Sequence, residues 1–322
     1  MKYFPHALSL LSFVVICAYI KFDNDRSQKA QREIHQPAQE EQYAFYKVDN
    51  PPAGEYAGYL NAVSLELPNE LYFAGERVPL EIPDVRERLD RELHINTYWH
   101  SSTIFLIKRA HQWLPQIEEI LSKHGVPDDF KYLTAIEGGF VNAVSPANAV
   151  GFWQILESAG EENGLEITKE VDERYDPLKA TEAACKYLKK AHAKFGNWTN
   201  AAASYNRGMG GLQRALDNQK VDSYYDLMLN EETSRYVFRI LAIKEIIEHP
   251  KRYGFNIDKR HLYEPEELRY VEVDRDIKDL VSFAKAQGIN YKLLKRHNPW
   301  LRDDHLDVKR NKTYKIAIPM AP

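Results

Sequence analysis

A single glutamate, Glu137, has the clearest capacity for acid–base chemistry in this sequence. It follows Phe130 by seven residues and Leu133 by four, so on a helix it shares their apolar face. Gly138-Gly139 ends that helix, and the helix dipole disfavours a negative charge in the last turn. Burial and the dipole both raise the pKa of a carboxyl, which suits a general acid near neutral pH. From this helix alone, an ordinary solvated glutamate at a frayed helix end is the alternative.

A turn-rich segment follows the helix, residues 145–155 with the sequence SPANAVGFWQI. It leads into a cluster of aromatic and amide side chains, Phe152, Trp153 and Gln154. Because buried aromatic rings usually pack into a core, Phe152 and Trp153 are interpreted as packing residues, with sugar stacking as the alternative. The segment gains its interest from its position directly after Glu137.

Taken together, the helix and this segment resemble the lytic murein transglycosylases of the soluble-lytic-transglycosylase family, which is lysozyme-like. The resemblance is strongest to the membrane-bound D type and spans about Ile104 to Ile247. Several further blocks match in the family's order and spacing, and no one of them would suffice alone. They are Gly164-Leu165, residues 171–177, Ala183-Ala184, Tyr187-Leu188, residues 195–198, residues 201–208 and residues 232–237.

The resemblance implies that Glu137 is the only catalytic acid and base. The implied reaction cleaves the bond between N-acetylmuramic acid and N-acetylglucosamine and leaves 1,6-anhydromuramoyl ends. Most glycosidases use two carboxylates, but no second carboxylate stands at a matching position. Two alternatives remain open: a muramidase of the same fold that uses water, and a non-catalytic peptidoglycan-binding protein.

The resemblance also implies residues that hold the substrate. Ser145 and Gln154 are expected to line the cleft and contact sugar substituents. Tyr205 is expected to hydrogen-bond and orient the catalytic acid, with Asn206 supporting it. Tyr236 is expected to close the far side of the cleft.

Three positions depart from the family pattern. Gly138 stands where the family has serine after the glutamate, so any hydrogen bond from that serine to the cleft is missing. Asn148 stands where glycine is usual, and asparagine also tolerates a positive φ, so the turn can survive. Ser204 replaces an alanine. The first departure concerns the reaction rate more than the fold.

The elements that must position these residues are mainly helical. Apolar spacing predicts the long helix 102–123, with Gly125 as its stop signal, and a new helix that opens at Pro127. The other predicted helices are 85–93, 180–194, 200–205 and 232–247. We therefore expect a mainly α domain at residues 83–256, within the α+β lysozyme-like superfamily that the resemblance implies.

A smaller module is predicted at residues 266–322. The patterns favour a strand at 270–273, two short helices and a last strand around Ile316. This βααβ order, with Asn298-Pro299, resembles a LysM glycan-binding module, although the usual Gly-Asp-Thr-Leu opening is replaced by residues 274–277. Glycan binding and a purely structural cap are both open for this module.

The N-terminal residues differ from the rest. Residues 1–21 contain an uncharged apolar run, Ala7 to Ile20, and are predicted to be a signal peptide or membrane anchor. Residues 22–82 are mostly polar without a persistent period, which predicts a disordered tether. We therefore expect an exported protein of the periplasm or cell envelope, anchored to a membrane if the segment is retained.

Composition excludes several other classes. The 43 Lys+Arg and 47 Asp+Glu residues give a net charge of −4, without the basic surface that nucleic-acid binding needs. Two cysteines exclude a disulfide framework and a cysteine-rich zinc site, and Cys185 is predicted to be buried. The histidines lack the spacing of a zinc helix, so we expect no metal and no other cofactor. The expected partner is peptidoglycan glycan strands.

Overall fold

The computed structural model describes residues 63–320. The predicted signal or anchor at residues 1–21, and the predicted tether as far as residue 62, lie outside this range. Within residues 63–320, none of the helices combines the length and apolar character needed to cross a bilayer.

The described chain is mainly helical, which confirms the predicted fold class. The helices are Pro83–Tyr98 (α1), His100–His124 (α2), Leu133–Glu137 (α3), Glu157–Glu162 (α4), Pro177–Phe195 (α5), Trp198–Arg207 (α6), Met209–Gln219 (α7), Glu231–Glu248 (α8), Leu280–Ala286 (α9) and Tyr291–His297 (α10). The strands are Tyr72–Phe73 (β1), Glu76–Arg77 (β2), Leu268–Val273 (β3) and Tyr314–Pro319 (β4).

Helix ends follow the signals in the sequence. Gly125 ends α2 in the left-handed conformation, with φ of 65°. The helix expected to open at Pro127 starts as a 3₁₀ turn, Asp128–Tyr132, before α3 begins. In α5, the Asp176 side chain accepts hydrogen bonds from two backbone N–H groups of the first turn, and proline follows it at the first helical position.

Helix α8 lies at the centre of the large core and packs against α1, α3 and α6. Its central residues are buried almost all round the helix, as expected for a helix enclosed by others. Arg235 of α8 also pairs with the buried Glu92 of α1, with 2.6 Å between Nε and Oε1. Cys185 of α5 is fully buried in the same core, and burial raises the pKa of its thiol to about 12.

The prediction of a tether over residues 22–82 is wrong for its last part. Residues 71–80 form a small β1–β2 hairpin whose apolar side chains join the core, and Phe73 is fully buried against Phe130 at 5.2 Å between ring centroids. Two-residue strands are too short to show an alternating pattern, so the sequence gives no periodic signal there.

Two helices were not predicted. Helix α4 has six residues, which is less than two turns and too short to establish a helical period. Helix α7 begins with Gly210 and Gly211 in its first turn, and glycine is unfavourable inside helices, which hides the start signal.

The C-terminal module has the predicted βααβ order. Strands β3 and β4 pair antiparallel, with Leu268 opposite Pro319 and Val273 opposite Tyr314. The buried Asn298 joins the last helix to β4, because its side chain donates to the carbonyl of Ala317 and accepts from the same residue's N–H, both at 2.7 Å. The module has its own hydrophobic cluster, separate from the large core.

Candidate active site

Glu137 is the last residue of α3, and its carboxyl points into the protein. Tyr236, fully enclosed in α8, donates a hydrogen bond from its hydroxyl to Oε1 of Glu137 at 2.5 Å. Burial raises the pKa of the Glu137 carboxyl, and the nearby charge of Glu232 raises it further. The Tyr236 hydrogen bond and the charge of Arg239 oppose this rise without cancelling it. The solvated alternative for Glu137 is therefore wrong in this structure.

Two arginines support the end of α3. Arg239 of α8 donates from Nη2 to the Ile136 carbonyl at 2.9 Å, and Arg109 of α2 donates from Nη1 to the Gly139 carbonyl at 3.3 Å. Helix ends leave carbonyl groups without partners inside the helix. These contacts fix the end of the short helix that carries Glu137. Sequence reasoning did not identify Arg109 or Arg239, because neither belongs to a recognised motif.

Tyr205 lies close enough to Glu137 for that carboxylate to raise the tyrosine's pKa, after the larger effect of burial. Its hydroxyl, however, donates to the carbonyl oxygen of Trp153 at 2.8 Å. The hydrogen bond to Glu137 that was predicted from Tyr205 is made by Tyr236 instead. The resemblance placed Tyr236 at the far side of the cleft, but only the packing of α8 against α3 reveals that its hydroxyl reaches Glu137.

Asn206 does not contact Tyr205 through a side-chain hydrogen bond but connects two helices. Its amide nitrogen donates to Oε1 of Glu232 at 3.0 Å, and its oxygen accepts from Thr233 Oγ1 at 2.8 Å. Glu232 is exposed and sits at the start of α8. The charge of this second carboxylate acts on Glu137, and the sequence analysis did not identify Glu232 as a site residue.

Residues 143–155, here called the cleft loop, form a compact turn beside these residues. Ser145 accepts at its hydroxyl from the Ala149 N–H at 3.0 Å, and Asn148 has the positive φ, 59°, that its type permits. Gln154 also has a positive φ, 47°, which is uncommon for a non-glycine residue. Its amide nitrogen donates to the carbonyls of Ala143 and Gly151, and these bonds hold the strained residue in place.

The predicted substrate residues are only partly brought together. Gln154 and Tyr205 line one small cavity of about 100 Å³ together with Tyr187 of α5. Ser145 belongs to the turn of the cleft loop, and Asn206 lies at the contact between α6 and α8.

Gly138 has no room for a side chain. A Cβ at this position would lie 2.8 Å from the carbonyl oxygen of Gly151 and 2.8 Å from Cα of Phe152. The missing serine of the family pattern therefore corresponds to a close approach between the end of α3 and the cleft loop.

Three side chains outside this site, Glu170, Asp303 and His305, place oxygen and nitrogen atoms within 4.8 Å of one another. Asp303 already pairs with Lys169 at 2.6 Å, and His305 contacts Asp304 at 2.9 Å. This group belongs to the contact between the two parts of the chain and not to the surroundings of Glu137.

Comparison with known proteins agrees with the resemblance seen in the sequence. Residues 117–228 match the model of the transglycosylase SLT domain, and residues 269–322 match that of the soluble lytic transglycosylase C-terminal LysM-like domain. The chain contains an SLT domain and a LysM-like domain. Glu137 and the cleft loop lie inside the SLT match, whereas Glu232 and Tyr236 lie just beyond its end.

Three relatives show how far the similarity extends. The chain is 29% identical to membrane-bound lytic murein transglycosylase D of Escherichia coli (strain K12) over 243 residues, 73% of this chain and 52% of that protein. It is 31% identical over 114 residues, 35% of this chain and 55% of the relative, to a putative tributyltin chloride resistance protein of Alteromonas sp. (strain M-1). Membrane-bound lytic murein transglycosylase C of Haemophilus influenzae (strain PittGG) is 26% identical over 169 residues, 47% of this chain and 46% of that protein. The chain spans about half the length of these relatives.

Proposed function

We propose that this protein is a peptidoglycan lytic transglycosylase of the cell envelope. The observation that carries the proposal is the half-buried Glu137, which accepts a hydrogen bond from the buried Tyr236 and has a raised pKa inside an SLT domain. A raised pKa favours the protonated form of the carboxyl, which is the form that a general acid needs. The proposed substrate is the β-1,4 bond between N-acetylmuramic acid and N-acetylglucosamine.

The proposed reaction uses Glu137 twice. Tyr236 occupies Oε1, so Oε2 carries the proton that passes to the glycosidic oxygen as the bond to C1 breaks. The acetamido group of the substrate stabilises the positive charge at C1, as in substrate-assisted glycosidases. Ionised Glu137 then takes the proton of the C6 hydroxyl as its oxygen attacks C1, which yields a 1,6-anhydromuramoyl end without consuming water.

Roles for the surrounding residues are part of the proposal. Ser145 and Gln154 present polar groups of the cleft loop to sugar substituents, while Tyr205 fixes the loop through the Trp153 carbonyl. Asn206 holds Glu232 at the start of α8. Tyr236 orients the acid, which is the part that the resemblance had given to Tyr205.

A hydrolytic muramidase is the second candidate, and Glu232 is the observation that favours it. Glu232 is an exposed carboxylate whose charge acts on Glu137, and a second carboxylate can activate water for direct attack. The products separate the two reactions, because each anhydro end is lighter than a reducing end by one water. Mass spectrometry of digested sacculi that shows reducing ends alone would replace the transglycosylase by a hydrolase.

The test of the acid is Glu137→Gln, with Glu161→Gln as control because Glu161 is an exposed residue of α4. We expect Glu137→Gln to abolish clearing of purified sacculi and Glu161→Gln to leave it unchanged. Clearing by the Glu137 variant would overturn the site assignment. The protein is a non-catalytic binder if two results occur together. Neither variant nor the unaltered protein clears sacculi, and all three bind to insoluble peptidoglycan in a pulldown.

A further inference from the structure

The LysM-like domain of this protein does not stand apart from the SLT domain. Residues 300–302 of the module pair with residues 170–172 of the SLT domain as a short antiparallel bridge, centred on Val171 and Leu301. The Asp172 N–H donates to the Trp300 carbonyl at 2.9 Å, and the Arg302 N–H donates to the Glu170 carbonyl at 2.7 Å. Val171 is 1% exposed and packs within the module's own hydrophobic cluster.

Charged side chains reinforce the same contact. Glu166, in the SLT domain, accepts hydrogen bonds from Lys312 and from the Tyr314 hydroxyl, and pairs with Lys309 at 2.9 Å. Burial alone would raise the pKa of the Glu166 carboxyl, but these bonds together lower it. The guanidinium of Arg302 lies 3.8 Å from the ring centroid of Tyr175. The module therefore contacts residues 166–175 at both ends of that stretch, at Glu166 and at Tyr175.

That stretch also holds the cleft loop. Arg174, 7% exposed, pairs with Asp172 through two nitrogens at 2.9 and 2.7 Å. The remaining guanidinium nitrogen donates to the carbonyls of Asn148 and Ile155, at the two sides of the cleft loop. Arg174 is thus fixed from the module side by Asp172 and reaches the loop that contains Ser145 and Gln154.

Two more contacts tie the site to the same stretch. Asn142, five residues after Glu137, donates to the Tyr175 carbonyl at 3.0 Å. A Cβ at Gly151 would lie 2.2 Å from the Arg174 carbonyl oxygen, so the loop backbone lies directly on it. A displacement of residues 171–175 is therefore transmitted to the cleft loop by packing as well as by hydrogen bonds.

We propose that the LysM-like domain positions the cleft loop, with Arg174 as the positioning residue that connects them. The path runs from the Trp300–Arg302 backbone to Asp172, from Asp172 to Arg174, and from Arg174 to Asn148 and Ile155. The catalytic consequence rests on the proposed function of Glu137, whereas the mechanical coupling does not. Loosening the module should misplace Ser145 and Gln154 without changing Glu137 itself.

The test loosens the module contact from its exposed side in the full chain. Arg302→Ala removes the cation over Tyr175, Glu166→Gln removes the charge that holds Lys309 and Lys312, and the two are also combined. Glu272→Gln is the control, because Glu272 forms an exposed pair with Lys315 at 3.8 Å on the module's sheet. Arg302→Lys, which keeps a cation over the ring, is the conservative variant.

Amide hydrogen exchange gives the direct readout. Val150 and Ile155 donate to each other's carbonyls across the cleft loop at 3.1 and 3.0 Å, so their exchange reports how firmly the loop is held. We expect exchange of these two amides to accelerate about tenfold or more in the double variant, with α8 amides unchanged. Arg302→Lys is expected to give exchange rates closer to those of the unaltered protein than Arg302→Ala does. Glu272→Gln is expected to give the exchange rates of the unaltered protein.

Kinetics on soluble peptidoglycan fragments give the second readout. A misplaced cleft loop is expected to lower kcat/KM by roughly tenfold or more, with part of the loss appearing as a higher KM because Ser145 and Gln154 are the proposed sugar contacts. Unchanged exchange at Val150 and Ile155 in the double variant would overturn the coupling whether or not the protein is an enzyme. If the double variant fails to fold, amide exchange in the single variant Arg302→Ala tests the coupling. Arg302 is exposed, and the loss of its side chain leaves the backbone bridge in place. Absence of activity in the unaltered protein would instead overturn the proposed function.

Discussion

The carboxyl of Glu137 is held in a place where its charge is costly. Burial is the main reason for its raised pKa, and Tyr236 supplies a hydrogen bond that only partly offsets the loss of water. The same property that suits the side chain to the proposed general acid thus destabilises the folded protein wherever the group is ionised. The proposed role therefore couples activity to stability at this residue.

This coupling predicts the pH dependence of Glu137→Gln. A carboxyl whose folded-state pKa lies above its unfolded value costs stability above the folded pKa and costs nothing below the unfolded value of about 4.3. We expect the variant to have the higher free energy of unfolding at pH 7 to 8, by about 1.4 kcal/mol for each pKa unit of the rise. The gain should begin to shrink as pH falls below the raised pKa and should vanish below the unfolded value of about 4.3.

Urea denaturation of both proteins across this pH range measures the difference. Glutamine can still accept the Tyr236 hydrogen bond, so the comparison isolates the charge. A gain that grows toward acid pH would show that Glu137 is ionised in the folded protein down to low pH, contrary to the proposed role.

The glycine after Glu137 is a steric requirement of this chain. Gly138→Ser restores the residue usual in the family, yet a Cβ there would lie 2.8 Å from two backbone atoms. We expect the substitution to lower the free energy of unfolding by about 1–3 kcal/mol and not to raise the rate. Gly210→Ala in α7, where a Cβ meets only the tip of Arg214, is the control and should be neutral or stabilising. Equal stability of both variants would contradict this account.

At the level of single residues, sequence reasoning singled out Glu137 but not all of its surroundings. Helical spacing and the glycine stop placed Glu137 in a last turn on an apolar face, and the family resemblance was needed to favour a catalytic carboxyl over a solvated one. The hydrogen bond from Tyr236 and the effect of the Glu232 charge depend on how α8 packs against α3 and α6, which no local pattern encodes. The hydrogen bond to Glu137 was predicted for Tyr205 and is made by Tyr236 for the same reason.

At the level of elements, the β1–β2 hairpin has a specific task. Glu76 of β2 accepts hydrogen bonds from the Trp198 N–H at 2.5 Å, the Thr199 N–H at 2.9 Å and the Thr199 hydroxyl at 2.6 Å. It therefore caps α6, the helix that carries Tyr205 and Asn206, from a segment more than a hundred residues earlier. A negative charge at a helix N-terminus is favoured by the helix dipole.

Removing this cap has a predictable cost. Glu76→Gln is expected to lower the free energy of unfolding by about 1 kcal/mol, because the charge facing the helix N-terminus is lost. Glu70→Gln, an exposed residue in the same N-terminal segment, is the control. Chemical denaturation that finds the two variants equally stable would remove the capping role.

The long helices were predictable because each presents an apolar stripe and recognisable end signals, as in α2 with Gly125. Residues 71–80 were not, because their contribution comes from side chains such as Phe73 that enter a core built elsewhere in the chain. Local patterns describe the elements, whereas such long-range packing decides that a polar stretch such as residues 71–80 is part of the fold.

At the scale of the whole molecule, Val171 connects the stability of the two domains. It belongs to the SLT match but is buried in the module's cluster with Leu301 and Ile318. Val171→Ala is expected to destabilise the module by about 1–3 kcal/mol through the cavity it leaves. Peptide-resolved hydrogen exchange should then show faster exchange in β4 and in residues 166–176 together.

Val281→Ala on the module's exposed helix face is the matched control, since Val281 is 39% exposed. We expect it to leave both segments nearly unchanged. Faster exchange in β4 alone after Val171→Ala would show that the module unfolds independently of the SLT domain.

One consequence concerns recombination between such proteins. The SLT domain contributes Val171 to the hydrophobic cluster of the LysM-like domain. We therefore expect that neither domain can be replaced independently of the other. In a chimaera with a foreign module joined after residue 265, the hydrophobic cluster of that module would lack the Val171 side chain that suits it. The N–H of Asp172 would lose its hydrogen bond to the Trp300 carbonyl. Chimaeras should become functional only when residues 166–176 are transplanted along with the module that they complete.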